Sequence, residues 1–138
     1  MKSNNCLDSF FKKVTDHLKN DFLFIFDYWY GPAVLNLKPS NRIKEIKNED
    51  FQLIRKYNSE LDSFHSQVTV NYEVGFIPNS TKLKEIYDEK HKKRYLFLNQ
   101  IDLLAKKYVF QVLKYAKWIN FSKLSIKDWN ALTILKKK

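Results

Sequence analysis

Two glycines and three prolines in 138 residues leave this chain few places for a tight turn. Only Gly31 and Gly75 escape the Cβ penalty at positive φ. A sandwich or barrel of many short strands needs a turn roughly every ten residues, so that class is disfavoured. Helices joined by few connections are the expected outcome.

The length fits one globular domain over 1–138. With 44% hydrophobic and 16% aromatic residues, the chain can bury a core without disulfides or metals. Cys6 is the single cysteine, so no intrachain bridge is possible and an oxidising compartment is not implied. The N-terminal stretch Met1 to Asp8 has no apolar core of signal-peptide length. The longest apolar run, Phe22 to Phe26, is too short to span a bilayer. These features predict a cytoplasmic protein without a membrane span.

Periodicity gives a coarse map. Leu7, Phe10, Phe11, Val14 and Leu18 recur at helical spacing and predict an amphipathic helix over 5–19. Residues 22–30, apolar except for Asp27, read as a strand buried on both faces. Gly31-Pro32 breaks the chain, and 33–37 reads as a short returning strand. Asn48 followed by Glu49 and Asp50 resembles a helix start, and Phe51, Ile54, Tyr57, Leu61 and Phe64 extend it over 49–65. Residues 68–76 alternate apolar and polar with period two and predict a strand. Ser80 or Thr81 would cap a further helix. A long helix is predicted over 97–119 and a last one after Ser125. The expected class is therefore α+β: a small two- to three-stranded sheet from 22–37 and 67–77, packed by four to five helices, with a helical C-terminal half.

Charge is distributed unevenly. Residues 1–79 hold ten Lys/Arg and ten Asp/Glu, whereas residues 80–138 hold fifteen and five, so the second part carries the whole net charge of +10. Such asymmetry points to an anionic partner. Two clusters could engage it. On the predicted 97–119 helix, Lys106, Lys107, Lys114 and Lys117 surround Phe110, an arrangement suited to phosphates and a stacked base, or to an acidic protein surface. In Lys90-His91-Lys92-Lys93-Arg94 five residues able to carry positive charge follow one another. The corresponding bland readings are a solvated helix face and a helix C-terminus.

Catalytic signatures are sparse. Asp27 lies in an apolar stretch, where it could serve as a base or bond a turn. His17, His65 and His91 are scattered without a second histidine or a cysteine at ligand spacing, so no zinc site is implied. Two glycines cannot build a phosphate-cradling loop, and no cofactor is implied. The glycosylation pattern at Asn79 and Asn120 carries little weight without a secretion signal. The expected function is a non-catalytic binding protein, of the inhibitor or immunity type, whose partner-binding residues Lys90, Lys92, Lys93, Arg94, Lys106, Lys107, Phe110, Lys114 and Lys117 meet an acidic protein. The alternatives are an RNA- or DNA-binding protein using the same lysines with Phe110, or a small basic nuclease using His65 or His91.

Overall fold

The computed structural model describes residues 3–138; Met1 and Lys2, which open the N-terminal stretch considered above, lie outside the described residues. In chain order its elements are α1 (Asn4–His17), β1 (Leu23–Tyr30), α2 (Gly31–Leu37), β2 (Arg42–Lys47), β3 (Phe51–Asp62), β4 (Gln67–Pro78), β5 (Glu85–Leu96), α3 (Leu98–Lys107), β6 (Phe110–Lys117) and β7 (Asn130–Lys137). Seven strands and three helices thus replace the expected small sheet under four to five helices, and the C-terminal half is largely strand.

The chain forms two compact units. The first comprises the chain up to Lys38, Ser63–Ser66 and Arg94–Lys138. The second comprises Pro39–Asp62 and Gln67–Lys93. In the first unit, β7 pairs antiparallel with β1 on one side and with β6 on the other. The opposite edge of β1 meets β5 in parallel, at Trp29↔Tyr95 and Tyr30↔Leu96. In the second unit the hydrogen-bonded order is β2-β3-β4-β5.

The core of the first unit lies between one sheet face and helices α1 and α3. Leu7 and Phe11 of α1 and Ile101 and Ala105 of α3 pack with Tyr28, Phe110, Ala131 and Leu135. Phe11, fully buried, meets Phe24, Phe26 and Phe110 edge-on at ring-centroid distances of 5.8, 5.7 and 6.4 Å. Edge-to-face packing sets the positive ring edge against the negative ring face, which favours this arrangement over a loose apolar filling. α1 starts where Ser3 Oγ accepts the Cys6 N–H at 3.2 Å. It ends where Lys137 Nζ, from β7, donates to the carbonyls of Thr15 and Leu18 at 2.6 and 2.7 Å. A lysine of the C-terminal basic tail thus satisfies the orphan carbonyls of a helix end.

The predicted 5–19 helix and the strands at 22–30 and 68–76 form close to their expected bounds. Other expectations fail for identifiable reasons. The 33–37 strand is instead α2, because Pro32 stands in its first turn, where a missing N–H costs nothing. The 49–65 helix is β3, which pairs with β4 continuously from Phe51↔Pro78 to Asp62↔Gln67. Asn48 is an acceptor as expected, but its Oδ1 takes the N–H of Asp50 and Phe51 at 2.9 and 2.8 Å and so closes the β2–β3 turn. Residues 85–96, read as a helix running into a basic end, form β5. The 97–119 helix stops at Tyr108; Val109 takes φ 60 and the chain continues as β6. The helix expected after Ser125 is β7 from residue 130, preceded by a turn in which Asp128 Oδ2 accepts the N–H and hydroxyl of Ser125.

A β-rich chain manages with two glycines because other residues take the strained positions. Asp21, Lys38, Ser66, Lys82, Val109, Ile119 and Phe121 all have positive φ, and neither glycine does. Glycine scarcity therefore does not exclude a strand-rich fold.

Candidate active site

Within the first unit the last residues of β5 run parallel to the end of β1, at Trp29↔Tyr95 and Tyr30↔Leu96. β1 passes at Tyr30 into α2, and β5 passes through Phe97 into α3. The space beyond the carboxyl ends of such strands, between strand and helix, is the usual ligand position in open α/β sheets.

Here that end is aromatic. The ring centroids of Trp29 and Trp129 lie 5.5 Å apart at an interplanar angle of 73°. The backbone holds them together, since the Tyr30 N–H donates to the Trp129 carbonyl at 2.8 Å. Tyr95 and Phe97 form a second edge-on pair at 5.8 Å. A Cβ built on Gly31 would come 2.7 Å from the Phe97 ring, so Gly31 is there to let the end of β1 lie directly against that ring. Trp29, Tyr30, Phe97 and Trp129 are all partly exposed. Aromatic walls of this kind hold planar or cationic groups through stacking and the ring quadrupole.

Asp27 is the one charged residue of β1. It is exposed, and its carboxylate has no hydrogen-bond or ion-pair partner among the described residues. Below the aromatic end, on the helix-covered face, Tyr28 and Thr133 are both buried, and the Thr133 hydroxyl donates to the Tyr28 oxygen at 3.1 Å. Burial pushes the Tyr28 phenol up to about 12. This pair is part of the core and is kept from solvent. The loop on the other side is fixed by Asp128, whose carboxyl is held below its ordinary value by the Lys117 ammonium at 2.7 Å and by Ser125.

The partner-binding residues expected from sequence are divided between the two units. Phe110, expected at the centre of a lysine face, is only 4% exposed and belongs to the core. Its lysines are split between two elements. Lys106 and Lys107 occupy the last turn of α3, and Lys107 pairs with Asp8 at 2.6 Å. Lys114 and Lys117 stand on β6 opposite Ile134 and Ala131, neighbours that face opposite sides of β7. The basic run lies along β5, where successive residues alternate between faces. Within it, His91 Nε2 approaches Glu89 at 2.9 Å, and Lys90 lines a polar depression of about 300 Å³ with Glu73, Asp88 and Glu89. Arg94 donates to Asn4 Oδ1. Lys90, Lys92 and Lys93 belong to the second unit, Arg94 and the α3 and β6 lysines to the first. Among the described residues no group of His, Cys, Asp and Glu could hold a metal, and no helix is long and apolar enough to cross a membrane.

The aromatic end is not legible in the sequence. Trp29 and Trp129 stand a hundred positions apart, and only the β1–β7 register brings them together. The available signal was weak: a strand ending in Gly31-Pro32 and two of only three tryptophans.

No family model matches the sequence, and no curated protein matches it. Solved structures do. An S-adenosylmethionine-dependent methyltransferase from Clostridium acetobutylicum ATCC 824 superposes with a TM-score of 0.67 at 19% identity, over 96% of this chain and 51% of that one. The CcbJ methyltransferase from Streptomyces caelestis gives 0.75 at 11% identity, over 100% and 56%. An S-adenosylmethionine-bound amino pentose methyltransferase from Micromonospora echinaspora gives 0.67 at 8%, over 96% and 50%. The shared property is the fold, and the chain spans about half the length of the structures it matches. This likeness overturns the expected non-catalytic inhibitor or immunity-type binder. The nucleic-acid alternative loses its stacking ring with the burial of Phe110.

The residues present do not fit S-adenosylmethionine by themselves. Backbone N–H groups approach such a cofactor through a glycine-rich strand-to-helix turn. Gly31 opens α2 but its missing Cβ is occupied by the Phe97 ring, and Gly75 lies within β4 against Lys84.

Proposed function

We propose that this chain is one half of an S-adenosylmethionine-dependent methyltransferase, the half that holds the methyl acceptor. The observation that carries the reading is the aromatic end of β1, standing where α/β enzymes bind ligands, in a chain whose whole fold superposes on methyltransferases. An amine-bearing acceptor suits the site: Trp29 and Trp129 offer ring faces to a cation, and Asp27 offers an uncommitted carboxylate. Two of the matched structures are an amino pentose methyltransferase and a sugar N-methyltransferase, which makes amino sugars the first acceptors to try. A cytoplasmic setting is consistent with the single cysteine.

The test uses the protein isolated from its own cells with whatever is bound to it. Supplied with methyl-labelled S-adenosylmethionine and a panel of amino sugars, it is expected to label at least one acceptor. Trp29→Ala should lower the rate by about tenfold or more at an unchanged melting temperature, because positioning is lost while the core is intact. Absence of label from every amine acceptor, or full activity in Trp29→Ala, overturns the reading.

A further inference from the structure

The loop between β6 and β7 turns its largest side chains to solvent. Trp118, Ile119, Phe121 and Ile126 are 44%, 82%, 49% and 54% exposed. Ile119 and Phe121 also hold left-handed backbone, at φ 79 and φ 56. That region is costly for a β-branched or bulky side chain. Strained backbone and exposed apolar surface in the same few residues mark a functional surface.

The loop has a built shape. The Lys117 N–H donates to the Ser122 carbonyl at 3.0 Å, and the Lys117 carbonyl accepts the Phe121 N–H at 3.2 Å, which closes the turn. The N–H groups of Trp118 and Asn120 donate to the carbonyls of Asn130 and Trp118 at 3.2 and 3.1 Å. Asn120 Oδ1 accepts the N–H and hydroxyl of Ser122 at 3.2 and 2.8 Å. Leu124 packs against the core, and the Lys117–Asp128 pair ties the two ends of the loop together. These tip groups have partners within the chain, so the tip can leave water at little cost. Its charge has one sign. Residues 114–127 include Lys114, Lys117, Lys123 and Lys127 and no acid. Lys117 is committed to Asp128, and Lys114, Lys123 and Lys127 are exposed.

We propose that residues 118–126 dock on an anionic lipid surface, with Trp118, Ile119 and Phe121 entering the headgroup layer and Lys123 and Lys127 meeting the lipid phosphates. This surface stands apart from the methyltransferase reading. Tryptophan favours the boundary between membrane and water, and lysines beside it are drawn to an anionic leaflet. A second copy of the chain would bring the same lysines face to face, which like charge opposes. A nucleic acid would find no ring to stack on at Ile119, the most exposed residue of the tip. A folded acidic protein would have to bring its own apolar pocket for the tip, and the test separates it from lipid.

The experiment sediments the 138-residue chain with vesicles of phosphatidylcholine, alone or mixed with phosphatidylglycerol. The expected result is binding to the mixed vesicles about tenfold or more tighter than to phosphatidylcholine alone. Ile119→Asn combined with Phe121→Asn should weaken that binding by about tenfold or more. Asparagine accepts left-handed backbone, so the melting temperature of this variant should not fall. A second readout does not rely on the double variant. Vesicles brominated on their acyl chains should quench tryptophan fluorescence in the wild type, and Trp118→Phe should abolish the quenching although Trp29 and Trp129 are still present. Four results overturn the proposal. The chain stays in solution with both kinds of vesicle, which leaves the loop to an acidic protein. The double variant binds as well as the wild type, which reduces the attraction to lysines alone. Both kinds of vesicle are bound equally, which removes the role of charge. Quenching persists in Trp118→Phe, which puts another face on the lipid.

Discussion

Tyr28 and Thr133 show how a single buried polar contact is tolerated beneath the site. The phenol gives up water and gains one hydrogen bond from a hydroxyl that is itself buried. Burial therefore disfavours the phenolate and raises the folded-state value to about 12 from 10.0. For an acid so raised, the neutral form contributes its stability fully below the unfolded value, and this is lost as pH rises through the folded one. At roughly 1.4 kcal/mol for each tenfold change in ionisation, the loss is about 3 kcal/mol by the upper end of that window. Melting temperature followed from pH 10 to about 12 should fall more steeply in the wild type than in Tyr28→Phe. Parallel curves would contradict a buried neutral phenol. The residue types here were legible in the sequence, but their meeting was not: Tyr28 and Thr133 are 105 positions apart.

At the scale of elements, legibility followed how local the deciding interactions are. α1 and β4 were readable because one face of each repeats cleanly, at helical spacing in α1 and with period two in β4. β3 and β5 were misread because their apolar residues also fit a helix, and the decision is made by cross-strand pairing, as at Tyr57 and Tyr72, 5.1 Å apart edge-on. The supposed 97–119 helix shows the same ambiguity. Its break rests on Val109, a β-branched residue held at φ 60 and largely exposed. Left-handed backbone is costly for such a side chain. Val109→Gly is therefore expected to raise stability by about 0.5–1 kcal/mol in a denaturant melt. A loss of about 1 kcal/mol, the cost of glycine within a helix, would contradict the break and restore the continuous helix.

At the scale of the whole molecule, the number that stood out in the sequence was charge, and charge did not lead to function. The +10 is real, but its carriers serve both units and several structural ends: Lys107 on Asp8, Lys117 on Asp128, Lys136 on Asp21, Lys137 on the end of α1. The fold was legible only as a mixture of helix and strand, because strand order depends on pairings between distant segments. The double-sided apolar character of β1 was legible, although Leu23 and Ile25 on one of its faces are exposed.

A chain that holds only the acceptor side of a methyltransferase, as proposed above, has its cofactor site elsewhere. Equilibrium dialysis with labelled S-adenosylmethionine, run in parallel on the isolated 138-residue chain and on the protein as isolated from its own cells, separates the outcomes. The expected result is no retained cofactor on the isolated chain and stoichiometric retention on the protein as isolated from its own cells. Retention by the isolated chain, or by neither sample, would contradict it.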